Sequence, residues 1–173
     1  MPQHSTALPI AWVVLRLLIL FNWVMGVFII VMLGLSFSGE DWFFEALKVG
    51  PDAQTGEFMA GMRAIMVLGL ASIPLFHLVF TRVLRIIETV RIGDPFIRAN
   101  AVRLRLMAWT LLGLEILHIA VAAIAKAVST PSTRLDIDWE FSVTALLAIL
   151  LLFVLAQAFA HGAQMREDLE GTV

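Results

Sequence analysis

The chain contains no cysteine and little charge, and both absences limit what it can be. Without cysteine it can form no disulfide, thiolate metal site or thiol redox centre. Only 15% of its 173 residues are charged and 60% are hydrophobic, whereas a typical soluble domain is about a quarter charged and about half apolar. A single small domain cannot bury so much apolar surface in an aqueous fold. We therefore expect the main partner of this chain to be a lipid bilayer.

Sequence motifs of enzymes and nucleic-acid-binding proteins are also missing. The chain has no Gly-rich phosphate loop, no Gly-x-Ser-x-Gly and no His-Glu-x-x-His. We predict neither enzymatic activity nor a cofactor. The net charge of −2 argues against direct binding of nucleic acid, which favours a basic domain.

Four long apolar stretches dominate the sequence, at residues 11–35, 58–80, 106–127 and 139–160. As a helix, each is long enough to cross about 30 Å of hydrocarbon. Helices are expected because backbone polar groups in lipid need internal hydrogen-bond partners. The sequence therefore predicts an all-α, integral membrane four-helix bundle that forms one domain over residues 1–173.

The basic residues between these stretches predict the orientation. The loop 81–105 is rich in arginine, whereas most of the charged residues in the segments 36–57 and 126–140 are acidic. Because Lys and Arg stay on the cytoplasmic side, we predict that loop 81–105 and both termini are cytoplasmic. These arginines fit two roles, contact with anionic headgroups and docking of a cytoplasmic protein. They are Arg82, Arg85, Arg91, Arg98, Arg103 and Arg105.

Two helices are predicted to project from the cytoplasmic face of the membrane and to be joined by a tight turn within this loop. The second apolar helix should continue to Ile92, with Gly93 as its C-terminal stop. Asp94 and Pro95 have the residue types of an N-cap and a first helical position, so the next helix should start there.

Ionisable residues within the apolar stretches are candidates for a functional site. Glu115 lies near the middle of the third stretch, with His118 on the same helical face. An ionisable group in hydrocarbon costs at least about 2.5 kcal/mol unless it is paired or hydrated. Glu115 is therefore either a proton- or ligand-binding residue, or a neutral or paired residue that fixes helix register. Arg16 and Arg63 are its candidate partners, unless both snorkel to an interface, and Asn22 is a further polar candidate.

The Glu115-x-x-His118 spacing also occurs in the metal-binding arms of di-iron four-helix bundles. Such a site needs a second arm and further carboxylates. None of the four stretches supplies a second arm. We therefore predict no metal site.

Two segments resemble a known family. The loop Val90-Arg-Ile-Gly-Asp-Pro-Phe96, continuing through Asn100 to Arg105, and the tail 159–173 are similar to the bacterial membrane family labelled domain of unknown function 2975. That family has a Gly-x-Pro-Phe … Asn … Arg-Leu-Arg inner loop. The similarity covers nearly the whole chain, although Glu170-Gly171 departs from the usual ending.

The resemblance implies a multi-pass protein of the bacterial cytoplasmic (inner) membrane. Genes of the family often lie beside a small helix-turn-helix regulator, which implies a cytoplasmic regulator as partner. The positions that match the family loop are then candidates for docking this partner. They are Gly93, Asp94, Pro95, Phe96, Asn100, Arg103 and Arg105.

Three functional hypotheses follow. In the first, the protein is regulatory or sensory: an apolar ligand or protonation of Glu115 biases the helices, and the inner loop and tail transmit this to a cytoplasmic protein. In the second it is a transporter or channel subunit, which would require a homo-oligomer because four helices rarely enclose a pore. In the third it is a structural subunit of a larger membrane complex.

Overall fold

The computed structural model describes residues 7–38, 55–129 and 142–170, and within these ranges the only regular elements are four α-helices. The all-α prediction is therefore confirmed. The helices are α1 (Ala7–Ser38), α2 (Thr55–Ile92), α3 (Arg98–Val128) and α4 (Val143–Glu170).

Each helix is long and apolar enough to cross a membrane. α1, α2 and α3 contain the first three predicted stretches and extend beyond them. The fourth helix begins at Val143 rather than at residue 139, because Ser142 is its N-cap: the Ser142 hydroxyl accepts a hydrogen bond from the Ala145 N–H at 3.1 Å. Residues 139–141 lie outside the described ranges. α4 continues past residue 160 to Glu170.

Large apolar side chains are exposed along all four helices. Water would make such a surface a strong aggregation hazard, whereas hydrocarbon solvates it. The surface therefore indicates lipid contact and a multi-pass membrane protein. Examples are Leu17, Phe21, Val24, Val27, Phe28, Val67, Phe76, Ile116, Ile119, Leu147, Leu151 and Val154.

The chain packs as two compact units. Unit 1 comprises Met1–Asn22, Leu75–Gly113 and Ser142–Val173. Unit 2 comprises Trp23–Pro74 and Leu114–Phe141. The α2–α3 turn and all of α4 thus belong to unit 1.

Small residues form much of the helix packing in both units. In unit 1, Ala108 and Ala156 are almost fully buried. In unit 2, Ala125 is also buried, and a methyl group on Gly61 would lie only 2.4 Å from a γ-methyl of Val128. Small side chains let helices approach closely where burial of apolar surface gives no driving force.

Candidate functional site

The end of α2 forms a Schellman motif. Gly93 has a φ of 88°, its N–H donates to the Val90 carbonyl at 3.1 Å, and the Asp94 N–H donates to the Thr89 carbonyl at 3.0 Å. These bonds use carbonyls that the helix itself leaves unpaired. The prediction that Gly93 ends the helix at Ile92 is confirmed.

The predicted start of the next helix is wrong. α3 begins at Arg98, so Asp94 is not its N-cap and Pro95 is not its first residue. The Asp94 N–H belongs to the end of α2, and the Asp94 carboxylate accepts a hydrogen bond from Arg166 of α4. A tertiary ion pair therefore takes the place of the local cap.

Asn100 holds the turn from inside. Its side chain is fully buried, and its amide donates to the Thr89 hydroxyl at 2.7 Å and to the Pro95 carbonyl at 2.8 Å. Its Oδ1 accepts from Arg103 Nη1 at 2.7 Å. Three hydrogen bonds thus join α2, the turn and α3 through one side chain. Because Asn100 is buried, its contribution to any docking surface is to position the turn.

Two ion pairs connect the turn to α4. The first is the pair of Asp94 with Arg166. The second is a bidentate pair of Arg98 with Glu167, in which Arg98 Nε and Nη2 lie 2.9 and 2.5 Å from the two carboxylate oxygens. Both pairs are largely exposed, and exposed pairs contribute at most about 1 kcal/mol each. Their main effect is to set the orientation of α4 against the turn.

An aromatic contact also joins the turn to α4. The Phe96 and Phe159 rings lie 5.0 Å apart between centroids, and a methyl group on Gly162 would lie 2.9 Å from Phe96 Cδ1. Gly162 is therefore the residue that lets the Phe96 ring lie against α4. We call the residues from Gly93 to Asn100, with their contacts on α4, the clamped turn.

The arginines of the loop differ in their surroundings. Arg105 is exposed, whereas Arg103 is half-buried beside α2. Arg103 lies just outside the predicted stretch 106–127. Its pKa is lowered mainly by burial of the guanidinium, and the positive charges of Arg85 and Arg82 lower it further. Arg103 remains protonated at any physiological pH, so neither its burial nor the neighbouring positive charges neutralise it.

Exposed apolar residues near the clamped turn are the feature that sequence reasoning missed. Ile92, at the tip of α2, is 82% exposed, and Leu169, near the end of α4, is 71% exposed. Both lie beyond the predicted apolar stretches. The signal was present in the sequence as single apolar residues among charged ones, but a lone apolar residue does not reveal its exposure.

The structure places Glu115, His118 and Arg63 in unit 2. Glu115 is half-buried on α3, and His118 is exposed. Arg63 of α2 donates from Nη2 to the Ser36 carbonyl at 2.5 Å and from Nε to the Ser36 hydroxyl at 3.3 Å. Its guanidinium also lies 4.3 Å from the Phe37 ring centroid.

Arg63 thereby caps the C-terminus of α1. The Ser36 carbonyl lies in the last turn of that helix, where carbonyls lack intrahelical partners and a positive charge is favourable. This role was not among the sequence-based alternatives for Arg63, because nothing in the local sequence pairs it with Ser36.

Arg16 and Asn22 lie in unit 1. Arg16 is exposed, and its guanidinium lies 4.3 Å from the ring centroid of Trp12, one turn nearer the N-terminus. This direction agrees with snorkelling towards the predicted cytoplasmic interface. Asn22 is 7% exposed, which places a polar amide in the interior of the protein.

Within the described parts of the chain, no group of three or more His, Cys, Asp or Glu side chains is placed to hold a metal ion. No protein-family model, curated protein or solved structure matches the sequence. The resemblance to domain of unknown function 2975 therefore stays a prediction.

Proposed function

We propose that the chain is a non-enzymatic, multi-pass protein of the bacterial cytoplasmic membrane, with a regulatory or sensory role exerted through a cytoplasmic protein partner. The observation that carries this proposal is the exposure of Ile92 and Leu169 beside the clamped turn.

Lipid tails do not account for the exposure of these two residues. Ile92 lies roughly 18 Å beyond residue 80, and Leu169 roughly 14 Å beyond residue 160, at 1.5 Å per helical residue. At that distance from the predicted spans both side chains are in water or in contact with protein. Apolar side chains that are exposed together mark protein-docking surfaces. Ile92 directly precedes Gly93 of the turn, and Leu169 follows Glu167, which pairs with Arg98, by two residues.

The clamped turn gives this surface a fixed shape. Asn100 joins α2 to α3, and the pairs Asp94–Arg166 and Arg98–Glu167 join the turn to α4. A surface that is already ordered loses little conformational entropy when a partner binds.

The partner class follows from the family resemblance, which implies a small helix-turn-helix regulator. The signal would enter through the membrane helices, as an apolar ligand or as protonation of Glu115. The positive charge of loop 81–105 supports a cytoplasmic position for the docking surface.

Orientation can be tested by cysteine labelling, because the chain has no native cysteine. We expect Ile92→Cys to react with a membrane-impermeant maleimide only after the cytoplasmic side is opened. Ser38→Cys, exposed at the C-terminus of α1 in the segment 36–57 that is predicted to face outward, should react in intact cells. Labelling of Ile92→Cys in intact cells would contradict the proposal.

Docking can be tested by co-purification of the full-length protein with a helix-turn-helix regulator taken from the genes beside its own, where the family resemblance predicts one. The double variant Ile92→Ser, Leu169→Ser should lose the regulator. Val90→Ser is the control, because Val90 is apolar, only 37% exposed and directed away from Ile92 on α2. Equal recovery of the regulator with wild type and the double variant would refute docking at this surface.

A further inference from the structure

We propose that Arg82, Arg85 and Arg103 form a binding site for the phosphate group of an anionic phospholipid at the cytoplasmic surface of the membrane. The proposal rests on the facing positions of Arg82 and Arg85 on α2 and of Arg103 on α3. It does not depend on the proposed protein partner.

The hydrogen bond between Thr89 and Asn100 shows which side of α2 faces α3. Arg82, Arg85 and Thr89 are separated by three and four residues, so they lie along one stripe of α2. Thr89 accepts the hydrogen bond of Asn100 from α3. The stripe that carries Arg82 and Arg85 is therefore the one directed towards α3.

Arg103 meets this stripe from the other helix. α2 runs into the turn and α3 runs out of it, so the two helices are antiparallel. One helical turn back from Thr89 on α2 and one helical turn forward from Asn100 on α3 therefore reach the same level. That step reaches Arg85 on α2 and Arg103 on α3. The Arg103 guanidinium is held there by its hydrogen bond to Asn100 Oδ1.

Positive charge at this place is only partly compensated. The positive charges of Arg85 and Arg82 act on Arg103, and the carboxylate of Glu88 acts in the opposite direction. In the part of the chain that the structure describes, Arg82 and Arg85 form no hydrogen bond or ion pair. Guanidinium groups bind phosphate oxygens through paired, charge-assisted hydrogen bonds, so an anionic phosphate would relieve the repulsion.

Depth favours a lipid as the source of the phosphate. Arg82 follows the predicted stretch 58–80 by two residues, and Arg103 precedes the stretch 106–127 by three. Both backbones therefore lie within roughly 5 Å of the predicted hydrocarbon edge, which is the level of lipid headgroups. A soluble phosphate has the same chemistry, and the experiment must distinguish the two.

The test uses full-length protein in nanodiscs of phosphatidylcholine that contain a graded fraction of phosphatidylglycerol, with lipid retention measured by native mass spectrometry. The double variant Arg85→Gln, Arg103→Gln should bind phosphatidylglycerol about 30-fold more weakly than wild type, from the loss of two arginine contacts near a membrane surface. The control Arg91→Gln, Arg105→Gln removes the same charge from positions about 120° around α2 from Arg85 and about 160° around α3 from Arg103. It should change binding less than about threefold.

A second variant protects the test against damage to the turn. Arg82→Gln, Arg85→Gln leaves the Arg103–Asn100 hydrogen bond in place and should weaken phosphatidylglycerol binding to a similar extent. Equal weakening in the control pair would mean that only net charge matters and would overturn the site. Displacement of phosphatidylglycerol by inorganic phosphate, but not by chloride at equal ionic strength, would assign the site to a soluble phosphate and overturn the lipid.

Discussion

Replacement of Asn100 by alanine should open the clamped turn. The substitution removes three hydrogen bonds, to Thr89, Pro95 and Arg103, from a side chain that is fully buried. A typical hydrogen bond contributes about 1 kcal/mol, and one of these involves a charged donor. The free energy that keeps the turn closed should therefore fall by about 3 kcal/mol.

This change can be measured by proteolysis, because Arg91 and Arg98 are trypsin sites on either side of the turn. When opening is fast relative to cleavage, the cleavage rate follows the population of the open form. A loss of about 3 kcal/mol should then increase cleavage at these sites on the order of 100-fold. Amide hydrogen exchange over residues 93–97 should accelerate by a similar factor.

Gln157→Ala is the matched control, because Gln157 is an exposed amide on α4. It should leave trypsin cleavage within about twofold of wild type, as expected for a surface substitution. If Asn100→Ala changed cleavage no more than Gln157→Ala, the three hydrogen bonds would not hold the turn, and the reasoning would fail.

Two glycine substitutions test the backbone and the packing separately. Gly61→Ala places a methyl group 2.4 Å from a γ-methyl of Val128, and it should lower the stability in detergent by about 1–3 kcal/mol. Val128→Ala in the same chain should restore most of this loss. If it does not, the contact with Val128 is not the cause. Gly93→Ala meets no atom within 4 Å but must adopt a φ of 88°, so it should cost about 1 kcal/mol. Gly93→Asn should cost less, and equal losses would argue against backbone strain.

Local signals in the sequence were sufficient for the helices and for one of their ends. Apolar stretches of about 20 residues predict spanning helices, because backbone polar groups in lipid have few alternatives. Gly93 is also a local signal, since only glycine readily adopts the left-handed conformation that ends α2.

The contacts of the candidate site depend on residues that are distant in the sequence, and local patterns could not reveal them. Asp94 has the residue type of an N-cap, but Arg166, 72 positions away, takes its carboxylate. Depth alone makes Arg63 a candidate partner of Glu115, and no local pattern indicates Ser36, which lies 27 positions away on α1 and accepts hydrogen bonds from Arg63. Local rules compete with tertiary ion pairs whose partners are unknown until the helices are paired.

The nature of the surrounding solvent explains why the turn carries so many specific contacts. Hydrocarbon solvates a leucine on either side of a helix equally well, so apolar burial cannot fix how α2 and α3 are aligned. Small residues such as Ala108 permit close approach but do not define one register. A buried amide with three partners does define it, because each slip of one residue would leave those groups unpaired. The register of α2 against α3 is therefore set at the clamped turn, and a ligand or protein that contacts this turn acts where the alignment of the two helices is decided.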